Sequence, residues 1–217
     1  MLSKADFFIY DLQVEQMIAL FSYNKNTQKK LPLGKLIVLT GPSGVGKGTL
    51  MRSLIEKHPE LYYSVSATTR APRFGEVDGK DYHFISRQKF EQLIAQEEFL
   101  EWAEFAGNYY GTLRKCVLDK INISKLVLLE IEVEGAKQIR KTFPEVLSIF
   151  ILPPSVKELE RRLRSRAQDS DDAVAQRLIC SQREIKAAHE FDLQIVNDKL
   201  DVTLKKLESA LFRPSNS

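Results

Sequence analysis

The stretch KLIVLTGPSGVGKGTLMRSLIEK, residues 35–57, decides the fold. Lys35–Thr40 is a short apolar run of the kind that forms a buried parallel strand. It runs into a glycine-rich segment, and Thr49–Lys57 continues with helical periodicity. Within it, Gly41, Gly46 and Lys47 satisfy the spacing G-x-x-x-x-G-K. Glycines let successive backbone N–H groups turn inward around a phosphate, and the helix beyond them points its positive end at the same anion. Lys47 adds a mobile point charge for the outer phosphates. The residues expected to line the loop are Gly41, Pro42, Ser43, Gly44, Val45, Gly46, Lys47, Gly48 and Thr49. Gly48 stands where a hydroxyl residue normally follows the lysine, which leaves Thr49 as the candidate hydroxyl for Mg²⁺.

The pattern continues outward from this unit. Lys125–Val133 and Val146–Leu152 are two further apolar runs, the second stopped by Pro153 and Pro154, and Gln194–Val196 is a short fourth. Helical stretches fall at Arg87–Gln96, Gly135–Phe143, Ser155–Arg166, Asp171–Glu190 and Leu200–Leu211. Strands alternating with helices predict an α/β fold, a parallel sheet covered on both faces. Tyr63–Gly111 breaks the rhythm with short β-like pieces rich in Tyr, Arg, Gly and Thr, as an inserted lobe would. Residues 1–33 read as an appendage, with a helical pattern over Ala5–Phe21 and a polar run over Ser22–Lys30.

Bulk composition narrows the function. In 217 residues, 32 basic against 29 acidic side chains give a net charge of +3. Nucleic-acid-binding domains concentrate a far larger basic excess, so no such partner is expected. No apolar stretch approaches the roughly 20 residues that span a bilayer, and Asp6, Asp11 and Glu15 interrupt the N-terminus as no export signal would allow. Cys116 and Cys180 lack metal-ligand spacing and read as small buried hydrophobes. The expectation is a cytoplasmic protein with no membrane partner, and a homo-oligomer is compatible with the sequence.

A second anion site follows the first. Residues 64–82, SVSATTRAPRFGEVDGKDY, pack Arg70, Arg73, Glu76, Tyr82 and several hydroxyls into one short segment. Two planar guanidinium forks and a phenol suit a phosphate dianion. Glu101, Thr112 and Ser66 suit a guanine edge, whose N1–H and N2–H₂ donate and whose O6 accepts. Adenine would meet the carboxylate with its unprotonated N1 and be repelled.

The segments Gly41–Lys47, Ser66–Tyr82, Glu101–Trp102 and Gly107–Gly111 resemble guanylate kinase, and the resemblance runs from about Lys35 to Leu211. It implies a P-loop NTPase-type parallel sheet flanked by helices, with a monophosphate-binding lobe over about residues 64–112, a helical lid over about 155–180, and a tail at 212–217. It implies ATP and GMP or dGMP as substrates, with Mg²⁺. By resemblance, Ser66, Glu101 and Thr112 contact guanine, Arg70, Arg73, Tyr82 and Tyr110 hold the GMP phosphate, and Glu76 supports them. The lid arginines are Arg162, Arg166 and Arg177, and Asn197 meets the adenine end of ATP. Glu130 and Glu132 stand where the family usually has aspartates, Glu132 toward guanine and Glu130 toward the metal's water shell. The rival readings are a kinase for another monophosphate or a phosphorylated sugar, and a binding module without catalysis. A regulatory GTPase would need an N-K-x-D motif, and Asn197-Asp-Lys-Leu is not one.

Overall fold

The computed structural model describes residues 34–105, 107–123, 125–165 and 171–212. The expected helix at Ala5–Phe21 and the tail beyond Phe212 lie outside these residues. Five strands form the main sheet: β1 (Lys35–Thr40), β2 (Tyr62–Tyr63), β7 (Leu126–Glu130), β8 (Leu147–Leu152) and β9 (Leu193–Val196). Their order is β2-β7-β1-β8-β9, and every pairing is parallel. The expectation of a parallel core is met.

Alternation along β1 shows why the sheet is sandwiched. Leu36 and Val38 face one side with Val127, Leu129, Phe150 and, from the covering helices, Val117, Ile121 and Ile139. Ile37 and Leu39 face the other with Leu50, Leu54, Ile149, Ile151, Leu204 and Leu207. The first layer is closed by α3 (Arg114–Asn122) and α4 (Val133–Thr142), the second by α1 (Lys47–Lys57) and α7 (Leu200–Phe212). Each such side chain contributes about 1.5–3 kcal/mol on burial, so this double core dominates stability.

A second sheet, in the order β4-β3-β6-β5, is built from β3 (Ala67–Thr68), β4 (His83–Phe84), β5 (Phe99–Phe105) and β6 (Asn108–Leu113). Its floor is α2 (Arg87–Ala95), capped by Ser86 and packed through Phe90, which stacks on Phe99 with centroids 4.3 Å apart. Two more helices, α5 (Val156–Arg164) and α6 (Asp171–Lys186), pack through Leu159, Leu163 and Val174.

Three details differ from expectation. Glu132 is not inside a strand, because β7 ends at Glu130 and Glu132 becomes the exposed N-cap of α4. The long helix expected over Asp171–Glu190 ends at Lys186 and is followed by a 3₁₀ turn, Ala188–Glu190. Cys180 is exposed on α6, whereas Cys116 is half-buried. Among the described residues, no helix is long and apolar enough to cross a membrane.

The last strand is fixed by one polar anchor. Asp192 accepts from the Ser148 amide at 2.8 Å and from its hydroxyl at 2.5 Å, joining β9 to β8. Partial burial works against the Asp192 charge. The Ser148 bonds and Arg140 outweigh it and hold the carboxyl below its ordinary range. A lowered carboxyl stabilises the fold above its unfolded pKa, and that contribution is lost as pH falls through the folded one. Ser148→Ala is expected to cost about 1–3 kcal/mol in urea unfolding at neutral pH, with a smaller deficit below about pH 4.

Candidate active site

Parallel strands end on one edge of their sheet, and that edge is where ligands bind in such folds. Here β1 ends at the phosphate loop, β7 at Glu130, and β9 at Val196, one residue before Asn197. The loop is wound by glycines at positive φ, among them Gly46 at 101°, the residue just before α1. A Cβ at Gly46 would also lie 2.7 Å from Asn197 Nδ2. Lys47 is only 9% exposed, and its Nζ donates to the carbonyls of Gly41 at 2.5 Å and Pro42 at 3.3 Å. The lysine therefore fixes both the loop's curvature and the place of its charge.

The outside of the loop is held by polar clamps. Asn197 is buried and donates through Nδ2 to the Val45 carbonyl at 2.8 Å. Arg162 donates to the same carbonyl at 3.2 Å, to the Asn197 carbonyl at 3.0 Å, and to Glu158 at 2.8 Å. The Arg161 and Arg162 guanidinia hold the Glu158 carboxyl down to about 2. Leu163 packs on Gly44, where a Cβ would sit 2.7 Å from Leu163 Cδ2. Arg177 is exposed on α6, and Arg166 lies outside the described residues.

Glu130 stands beside the first turn of α1, its carboxylate oxygens 3.8 and 3.9 Å from where a Gly48 Cβ would be. Burial pushes its carboxyl up, and Lys47 and Arg52 pull against that while Glu132 adds to it. Thr49 is exposed in the same turn. Among the described residues, no group of three or more His, Cys, Asp or Glu is placed to hold a metal ion. The donors present here are a carboxylate and a hydroxyl. They are oxygen ligands of the kind that suit a hard cation keeping most of its waters.

Across the second sheet, register assembles the other pocket. Glu101 of β5 pairs with Thr112 of β6, and Ala67 of β3 with Gly111, so Ser66, one residue before β3, continues the row of Thr112 and Glu101. Paired residues share a face, and Tyr110, two positions from Thr112, lies on it as well. Thr112 Oγ1 donates to Glu101 Oε1 at 2.6 Å, and the two residues are 1% and 6% exposed. Burial pushes the Glu101 carboxyl up, with Glu132 adding to it against the pull of Thr112.

The arginines are organised by Glu76. Its carboxylate accepts from Arg70 Nη2 at 2.8 Å and from the Arg73 amide at 2.7 Å, and is held below its ordinary range chiefly by Arg70. Arg70 lies over the Tyr82 ring, 5.4 Å from its centroid, and Tyr82 meets Tyr110 edge-on at 6.0 Å. Burial pushes the Tyr82 phenol up, keeping it a donor. Arg73 itself is exposed.

Four residues carry no mark of their role in the sequence pattern alone, or only a faint one. Gly135, in the first turn of α4, leaves room for Glu101, because a Cβ there would fall 2.5 Å from Glu101 Oε2. A glycine inside a helix costs about 1 kcal/mol against alanine, and that oddity is the available signal. Gln138 pairs twice with the Trp102 backbone at 3.3 Å, tying α4 to β5. Thr68 accepts from the Arg70 amide at 3.2 Å. Glu184 on α6 has the pattern of a solvated helix charge, and nothing in its neighbours marks it out.

A parallel sheet whose first strand feeds a glycine-rich loop and a helix, beside a second small sheet rich in arginine and hydroxyls, defines a P-loop nucleotide-binding protein. A family model described as guanylate kinase matches residues 33–213. The chain is 67% identical over 190 residues to a guanylate kinase of Trichormus variabilis, covering 87% of this chain and 96% of that one. It is 55% identical over 182 residues to a guanylate kinase of Synechococcus elongatus, covering 84% and 100%. A crystal structure of guanylate kinase from Anaplasma phagocytophilum is similar with TM-score 0.69 and 36% identity, covering 83% of this chain and 85% of that one. The chain belongs to the guanylate kinase family.

Glu101 gives a stability test independent of turnover. Its raised carboxyl makes the fold most stable below the ordinary carboxyl pKa and less so as pH rises. Glu101→Gln, which keeps an acceptor for Thr112, is therefore expected to melt above the wild type at pH 7.5. The difference should fade as the pH is lowered toward about 4.5.

Proposed function

We propose that this protein transfers the γ-phosphoryl group of ATP to GMP, and to dGMP, giving ADP and GDP or dGDP. The observation that carries the reading is the buried Glu101–Thr112 pair, in line with Ser66, in the sheet whose strand β3 leads into Arg70. A carboxylate kept from water at a cost to stability needs a donor to offset it. The N1–H and N2–H₂ of guanine provide two donors, and an adenine edge cannot. A phosphorylated sugar would make no use of Glu101, and a module without catalysis would have no use for the Lys47 loop.

The acceptor is a phosphate oxygen of GMP, already a competent nucleophile at neutral pH, so no general base is required. It forms a new P–O bond to the γ-phosphorus as the bond to the bridging oxygen breaks, and ADP leaves with the electron pair. The protein's work is alignment and charge neutralisation. Arg70, oriented by Glu76, grips the GMP phosphate with Arg73, Tyr82 and Tyr110. Gly41–Thr49 cradle the ATP phosphates and Lys47 neutralises the outer ones. Asn197 serves the adenine side, and Arg166 and Arg177 come from the lid. Arg162 reaches the loop's outer carbonyls, so its support for the transferring group acts through the loop's shape. Glu132 adds negative charge near the guanine edge.

Thr49 and the Glu130 carboxylate are the oxygen donors that would hold Mg²⁺. Bound there, the ion would supply charge neutralisation for the outer phosphates. Everything else in the step is done by side chains and loop amides.

ADP release with ATP and a panel of GMP, dGMP, AMP, UMP, CMP and ribose phosphate tests the reading. Turnover is expected with GMP and dGMP alone, and equal turnover with AMP would overturn it. Lys47→Ala should lower kcat by about 10²-fold or more. Glu101→Gln should raise KM for GMP by about 10–100-fold and leave KM for ATP near its wild-type value.

A further inference from the structure

The Glu101 side chain is pinched between two elements. From β6, Thr112 Oγ1 donates to Glu101 Oε1 at 2.6 Å. From α4, Gly135 closes on the other oxygen, since a Cβ there would lie 2.5 Å from Glu101 Oε2, 3.1 Å from Cδ and 3.5 Å from Cγ. The helix has little freedom to retreat. One turn on, Gln138 exchanges two hydrogen bonds with the Trp102 backbone, the residue after Glu101. Val133, Ala136 and Ile139 of α4 are buried in the main core.

Thr112 occupies one carboxylate oxygen, so the other has to serve the donors of the base. We propose that Gly135 is a positioning residue for the guanine nucleotide: by withholding a Cβ it lets Glu101 keep its carboxylate in the row with Thr112 and Ser66. The inference rests on reading Glu101 as the acceptor for guanine. Any side chain at position 135 presses on that carboxylate and turns it out of the row.

The effect belongs to binding and not to folding, because of which atoms are met. At Gly135 they are the far end of a flexible side chain, which yields by rotation and regains water as it leaves. Alanine is also the stronger helix former. Gly111, opposite Trp102 in the ladder, is a contrasting case. A Cβ there would lie 2.9 Å from the Glu101 carbonyl oxygen and 3.0 Å from Trp102 Cβ, atoms of the strand that cannot rotate away. Substitution at Gly111 therefore damages the sheet, and substitution at Gly135 damages the pocket.

Calorimetric titration of GMP and, separately, of ATP into the wild type, Gly135→Ala, Glu101→Ala and the double variant tests the proposal, with the melting temperature of each. Gly135→Ala is expected to weaken GMP by about 10–100-fold, to hold ATP within about twofold, and to melt no lower than the wild type. In the Glu101→Ala background the same change should alter GMP affinity by less than about twofold, because no acid is left to displace. Wild-type GMP affinity in Gly135→Ala overturns the proposal, as does an equal penalty in both backgrounds. A Gly135→Ala protein that melts lower or loses ATP as well marks a merely structural glycine and overturns it too. If the wild type binds ATP but no GMP, the guanine reading itself fails and this inference falls with it.

Discussion

The hydrogen bonds from Lys47 to the Gly41 and Pro42 carbonyls are the interaction on which the rest depends. A lysine in solution is a flexible, strongly hydrated charge. Buried and tied to its own loop, it becomes a fixed one, and the loop's inward amides are fixed with it. This arrangement is possible because every strand of the main sheet runs the same way. Glu130, Glu132 and Asn197 then arrive at the same edge as the loop without any long connection.

Negative charge is held against stability around that edge. Burial pushes Glu101, Glu130 and Glu184 upward, each for the same physical reason, and Glu132 adds to all three. A fold selected for stability alone would replace them, since an incompletely paired buried acid is a cost. Their presence in one region fits a site that binds a base through its donors and handles several phosphate charges. Elsewhere acids are held low by ordinary pairing, as Glu76 is by Arg70 and Glu158 by Arg161 and Arg162.

Much of this is visible in the sequence, because the main sheet depends on local signals. Lys35–Thr40 running into Gly41–Lys47 announces strand, loop and helix, and the apolar runs at Leu126 and Leu147 follow the same rule. The second sheet is legible only as a rhythm that breaks, since β3 and β4 are two residues each and owe their existence to pairing across the sheet. The row of Ser66, Thr112 and Glu101 is likewise a matter of register, which no local pattern states. Glu132 reads as part of a strand because the apolar run continues through Ile131 and Val133 beyond the last ladder bond. Gly135 acts across the fold on Glu101, 34 positions away, and sequence spacing carries no trace of it.

The central claim is two adjacent anion pockets that together place a guanine nucleotide in line with a triphosphate. Its most direct test is calorimetry with a bisubstrate analogue, adenosine and guanosine joined through a pentaphosphate. The account predicts one analogue per chain, bound more tightly than ATP or GMP alone and displaced by each of them. Two analogues per chain, or displacement by ATP but by no guanine nucleotide, would contradict it.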